Sequence, residues 1–169
     1  RQIVPWYPDS VQNEKELFSA NVWTQGINDG KKRPVMVWLH GGGFHIGASN
    51  DPMTYGKAMA KKGDVVFVSI NHRLNILGYL DLSACGPNYA QSANVGMLDI
   101  VKALEWVNKN IENFGGNPSD VTIIGESGGG GKVGTLMCMP AAKGLFKKAI
   151  IQSGTLINQM TKEKSQALG

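Results

Sequence analysis

Histidine is scarce in this chain of 169 residues: His40, His45 and His72 are the only three. All of them precede Ser127, and beyond that serine the chain holds no histidine and a single acid, Glu163. Cysteine is scarcer still. Cys85 and Cys138 match neither a metal-ligand spacing nor a C-x-x-C redox pair. Two thiols do not make a disulfide framework, so they leave the redox compartment undetermined. No apolar run approaches the roughly 20 residues that a membrane-spanning helix requires. The chain begins at Arg1 with no apolar leader, which leaves cytoplasmic and secreted locations both open. Low hydrophobicity with high net charge would indicate disorder, but 42% of residues are hydrophobic and 18% charged.

What is present fits one soluble domain with a real core, on a prior of roughly 100–200 residues per domain. The net charge is +4, and part of it comes from Lys132, Lys143, Lys147, Lys148, Lys162 and Lys164. These lysines are scattered and lack interleaved aromatics, so they read as a solvated surface and not as a nucleic-acid or membrane patch.

The chain alternates strand-like and helix-like segments. Short apolar runs at 35–39, 65–70, 121–124 and 149–151 suit strands buried on both faces of a parallel sheet. Residues 52–62 form one candidate helix. A second is predicted over 95–113, where Leu98, Val101, Leu104, Val107 and Ile111 recur at spacings of three and four. Asn94 is placed as its N-cap, and Gly115-Gly116-Asn117-Pro118 as the turn that ends it. Another helix should follow Ser127, and a last one is expected near Asn158. The alternation predicts an α/β fold, mostly parallel, with helices on both faces.

Two motifs carry chemistry. Gly125-Glu126-Ser127-Gly128-Gly129 matches G-x-S-x-G, with an apolar strand before it and small residues after it. A strand-to-helix turn this sharp brings the flanking positions into collision unless they are glycine. It also lifts the serine hydroxyl to a helix N-terminus, where partial positive charge favours a developing anion. Alone, the motif is weak. His40-Gly41-Gly42-Gly43-Phe44 follows the strand that ends at Leu39 and matches the H-G-G-G loop that supplies amide donors to an oxyanion. Each such donor is worth about 2.7–4 kcal/mol in a transition state. Gly42, Gly43 and Gly128 are the expected donors, and Ser127 the expected nucleophile.

With these motifs the chain resembles the type-B carboxylesterases, the family of the cholinesterases and the bacterial para-nitrobenzyl esterases. The resemblance runs over residues 21–157 through further segments: Asn21-Val22-Trp23-Thr24, Asn71-His72-Arg73-Leu74, Asn94-Val95-Gly96-Met97-Leu98-Asp99, Phe114-Gly115-Gly116-Asn117-Pro118 and Gln152-Ser153-Gly154. It implies an α/β-hydrolase fold and a serine esterase acting on a small ester substrate, with no metal or cofactor. Glu126, beside the serine, is either an acid that shapes the field in the site or a partly buried glutamate in a structural hydrogen bond. Arg73 and Asp99 are implied to be structural. His40 reads as a loop-shaping residue, and His45 as a pocket or surface residue.

The chain departs from the family in two places. Near 14–18 it reads Glu14-Lys15-Glu16-Leu17-Phe18, where the family has a Ser-Glu-Asp-Cys-Leu run. More important, the order in this fold is serine, acid, histidine, and neither of the last two follows Ser127 in usable form. A serine without a general base is a poor nucleophile at neutral pH. Residues 1–169 are therefore expected to be the N-terminal portion of a single catalytic domain, inactive alone. The acid and base would lie beyond Gly169, in the same chain or in a second one.

Other classes fare worse. Gly129, Gly131 and Gly134 match a dinucleotide fingerprint literally, but the acid required about 20 residues on is missing from 135–162. A phosphate-binding loop fails because Val133 follows Lys132. A non-catalytic adhesion relative would usually have lost the serine. A lyase or thioesterase on the same fold stays open.

Overall fold

Each predicted strand forms, and one more precedes them. The computed structural model describes residues 18–154 and 160–169. In chain order the elements are β1 (Ala20–Trp23), β2 (Arg33–Leu39), α1 (Lys57–Gly63), β3 (Val66–Ile70), α2 (Asn75–Tyr79) and α3 (Val95–Asn110). They are followed by β4 (Gly116–Glu126), α4 (Gly128–Cys138), β5 (Lys148–Gln152) and α5 (Lys162–Gln166). Across the sheet the order is β1-β3-β2-β4-β5, with β1 antiparallel to β3 and every other pair parallel. β1 went unpredicted because four residues are too few to show a period.

Register builds the core. Val35 and Val37 lie opposite Val66 and Val68 on one side and Val121 and Ile123 on the other. With Leu39 and Ile70 they line one face, and α3 and α4 cover it with Met97, Ile100, Val101, Leu104, Val107, Val133 and Leu136. Side chains of this size, fully buried, each contribute about 1.5–3 kcal/mol relative to exposure. The opposite face carries Phe67 and Ser69, which are buried, and Met36, Trp38, Thr122 and Ile124, which are half-buried. The expected burial on both faces thus holds for β3, while β2 and β4 alternate and β5 is exposed except at the half-buried Ala149.

Boundaries shift where local chemistry intervenes. The predicted helix over 52–62 divides into a 3-10 turn at Pro52–Thr54 and α1, which ends at Asp64 in a left-handed conformation. In α3 the buried face includes Met97 and Ile100, whereas Leu98 is half-buried. Asn94 stands at the N-cap position but its side chain makes no capping bond. Gly115, at φ 73°, ends the following 3-10 turn, while Gly116-Asn117-Pro118 already belong to β4. Proline is tolerated there because the pairing with β2 is irregular between Arg33 and Val35. The last helix is the short α5; Asn158 lies outside the described residues.

Two arginines brace the frame through three ion pairs. The buried Arg33 guanidinium binds Asp29 and Asp64, each at 2.7 Å, and holds the Asp29 carboxyl below its ordinary range. Arg73 grips Asp99 through Nε and Nη2 at 2.8 and 2.7 Å, and its backbone amide adds a third bond at 3.0 Å. This ties the segment after β3 to α3, the structural role implied for both residues.

Candidate active site

The turn between β4 and α4 leaves almost no room. Ser127 sits in it at φ 53° and ψ −119°, a region that non-glycine residues rarely occupy. Its amide donates to the Gln152 carbonyl at 2.8 Å, and its carbonyl accepts from Gly131 at 3.1 Å. These bonds at both ends hold the strained conformation. A methyl group on Gly125 would collide with the backbone of Gly129, and one on Gly129 with the carbonyl of Leu39. The helix can therefore start directly above the ends of β2 and β4 with the Ser127 side chain exposed.

The H-G-G-G loop meets this turn. Gly42 and Gly43 have φ of 88° and 65°, conformations natural to glycine. The Gly42 carbonyl accepts from His45 and Ile46 at 3.3 and 3.2 Å, closing the loop on itself. The backbones of Gly43 and Gly128 touch. A Cβ on Gly41 would lie 3.1 Å from a Glu126 carboxylate oxygen and 3.7 Å from Ser127 Cβ, so the loop, the acid and the serine share one corner. Among the described residues the amides of Gly42, Gly43 and Gly128 bind no acceptor. Glu126 is exposed, and no hydrogen bond engages its carboxylate there.

The histidines behave unequally. His40 and His72 are buried and stacked, with ring centroids 4.8 Å apart and planes 5° apart. Each places Nδ1 against a backbone carbonyl, His40 on Gly41 at 2.9 Å and His72 on Arg73 at 3.2 Å. That arrangement assigns the proton to Nδ1 and leaves both Nε2 atoms buried without a partner among the described residues. Burial first, and the charge of Lys132 second, push His40 down to about 3 and His72 well below its ordinary value. A base that weak accepts few protons near neutral pH. His45 is exposed and lines an open cavity of about 1080 Å³ with Phe44, Tyr79, Met97 and Thr135; Ser127 does not line it.

One residue belies its sequence reading. Lys132, counted with the solvated lysines, is fully buried. The signal was its place in α4 between Gly131 and Val133, on the helix side that carries Gly129, Val133 and Leu136 into the core. Cys85 and Cys138 are free and exposed. No helix among the described residues is long and apolar enough to cross a membrane.

Comparison with known proteins agrees with the fold and the family resemblance. The Carboxylesterase family model matches residues 11–168, beyond the 21–157 over which the resemblance was read. The para-nitrobenzyl esterase of Bacillus subtilis (strain 168) is 44% identical over 159 residues, covering 94% of this chain and 32% of that protein. A crystal structure of the Geobacillus stearothermophilus carboxylesterase matches with a TM-score of 0.80 at 50% identity, over 82% of this chain and 30% of that one. An esterase from anaerobic Clostridium hathewayi, described as able to hydrolyse aliphatic aromatic polyesters, matches with a TM-score of 0.78 at 54% identity, over 80% and 27%. The chain thus spans about a third of the length of such relatives. The mostly parallel sheet is part of the α/β-hydrolase fold that these carboxylesterases share, and the chain belongs to the carboxylesterase family.

Proposed function

We propose that this chain carries the nucleophile and oxyanion half of a serine esterase. Ser127 Oγ attacks the carbonyl carbon of a carboxylic ester, and the carbonyl oxygen takes the negative charge. The amides of Gly42, Gly43 and Gly128 receive that charge, a general base takes the Ser127 hydroxyl proton and returns it to the departing alkoxide, and collapse expels the alcohol and leaves an acyl group on Ser127. Water then releases the acid.

The observation that carries this reading is the Ser127 backbone at φ 53°, held at both ends and facing a loop whose amides bind no acceptor among the described residues. Strain of this kind costs on the order of 1–3 kcal/mol and persists at sites where it serves a function. Glu126, exposed at the same corner, would act on the field around the serine and not as its proton acceptor.

The general base comes from elsewhere in this scheme. His40 and His72 are buried and held neutral, and His45 lies on the cavity side of the loop. Residues 1–169 are then the N-terminal portion of one hydrolase domain, with the acid and histidine supplied by the remainder, as the same chain or a second one. Support comes from the share of relatives that the chain spans, and from β5, whose Ile150 and Ile151 are 40% and 37% exposed at a sheet edge with no further strand among the described residues. The substrate class is a small ester, consistent with the para-nitrobenzyl and polyester activities in the relatives' names.

The test is hydrolysis of p-nitrophenyl acetate by full-length protein, with intact mass measured before and after a fluorophosphonate. Turnover with an adduct on Ser127, both lost in Ser127→Ala, is expected. A Ser127→Ala protein as active as wild type would end the proposal.

A further inference from the structure

Lys132 lies against the H-G-G-G loop yet has no part in the proposed ester chemistry. Its side chain is fully buried in α4, and no carboxylate pairs with it among the described residues. Nζ donates to the His40 carbonyl at 3.0 Å and stands 5.5 Å from the centre of the Phe44 ring. His40 and Phe44 are the two ends of the H-G-G-G-F segment. One ammonium therefore touches both limits of the loop that holds the Gly42 and Gly43 amides.

The glycines before it permit this. Residues 128–131 carry no side chains, and Gly129 packs directly on the Leu39 and His40 carbonyls. The helix lies low enough for the lysine stem to run beneath the loop. Burying an ammonium without a counter-charge is costly, and an apolar side chain of the same length would fill the space without that cost. The charge is better explained by the site than by the core.

We propose that Lys132 is a positioning residue for ester hydrolysis: its ammonium, held between the His40 carbonyl and the Phe44 ring, fixes the oxyanion loop and places positive potential beneath the developing oxyanion. This rests on the reading of Ser127 as nucleophile. In a low-dielectric interior an unpaired cation exerts its field over a longer range than in water. Burial lowers Lys132 to about 7, so the charge is present below that pH and lost above it. Two titratable groups interact with this charge, His40 from the end of β2 and His72 from the segment after β3. Both stay neutral through that window. Tyr79, edge-on to the Phe44 ring at 5.2 Å, is raised by burial and also stays neutral.

The experiment compares wild type, Ser127→Ala and Lys132→Met as full-length proteins on p-nitrophenyl acetate across neutral pH, with Tm recorded for each. Lys132→Met should lower kcat about 10- to 100-fold at acidic pH, with KM within about threefold, on the scale seen when donors lose registry. Its Tm should equal or exceed that of wild type. The kcat advantage of wild type should shrink as the pH passes about 7. Wild-type kcat in Lys132→Met, with Ser127→Ala inactive, overturns the proposal and leaves the esterase reading intact. Equal turnover by wild type and Ser127→Ala sinks the esterase reading itself. Should Lys132→Met fail to fold, Lys132→Gln decides in the same assays. Failure of both to fold makes Lys132 a structural residue and overturns the proposal.

Discussion

Gly125 and Gly129 face each other across the serine turn with no space for a methyl group on the first, because it would strike the backbone of the second. The turn is therefore set by the absence of side chains and not by their attraction. Gly125→Ala forces β4 and α4 apart. Overpacking of this kind costs about 1–3 kcal/mol, and a shift of the serine adds a loss of turnover. A lowered Tm together with reduced p-nitrophenyl acetate hydrolysis is expected; wild-type values for both would show that the turn relaxes freely.

Ser127 pays for its position in backbone strain, at φ 53° and ψ −119°. Glycine adopts that region without penalty, whereas alanine does not. Ser127→Gly and Ser127→Ala should both abolish ester turnover, yet the glycine variant should be the more stable by about 1–3 kcal/mol. Denaturant unfolding of the two measures the gap, and an alanine variant of equal or greater stability would contradict the strain.

Arg73 and Asp99 share two side-chain bonds and one backbone bond. Asp99→Asn keeps the size but loses the charge. A cost of about 1.5–3 kcal/mol is expected, read as a lower midpoint in urea with turnover at the native plateau little changed. A matching fall in kcat on folded protein would mean that the pair does more than join β3 to α3.

Stability should depend on pH in two separate windows. His40 is lowered to about 3 from 6.5, so the stability of its neutral form is complete above 6.5 and drains away as the pH falls toward 3. Lys132 is lowered to about 7 from 10.5, so the unfolded chain binds the extra proton between those values and stability rises with pH across them. Tm measured against pH should show both slopes; Lys132→Met should remove the alkaline one and leave the acid one, which rests first on burial, reduced but present.

Much of this was legible in the sequence because period and register coincide. Leu104 and Val107 fell on the predicted face of α3, and each apolar run became a strand. Leu98 misled because Met97 and Ile100 occupy the centre of that face. Pro118 read as a turn because pairing irregularity in a neighbouring strand has no local signature. In the site, the glycines announced themselves, since their spacing is a steric requirement visible in the letters. Lys132 did so only faintly: its helical spacing from Gly129, Val133 and Leu136 puts it on the core side of α4, yet its charge makes it read as solvated. The Asp64 half of Arg33's support was hidden, being a contact between residues distant in the chain, whereas Asp29 lies only four residues away.

The four glycines that open α4 also have a consequence for how the protein folds. Each costs about 1 kcal/mol of helix propensity relative to alanine, so this helix has little tendency to nucleate by itself. It gains its stability by docking onto β2 and β4, which means the serine turn forms only after the central strands have assembled. In the native protein α4 should then open more readily than α3. Amide exchange should find residues 128–131 less protected than Val101 or Leu104 in α3. A gentle rise in temperature should then silence the site while the sheet beneath it is still intact.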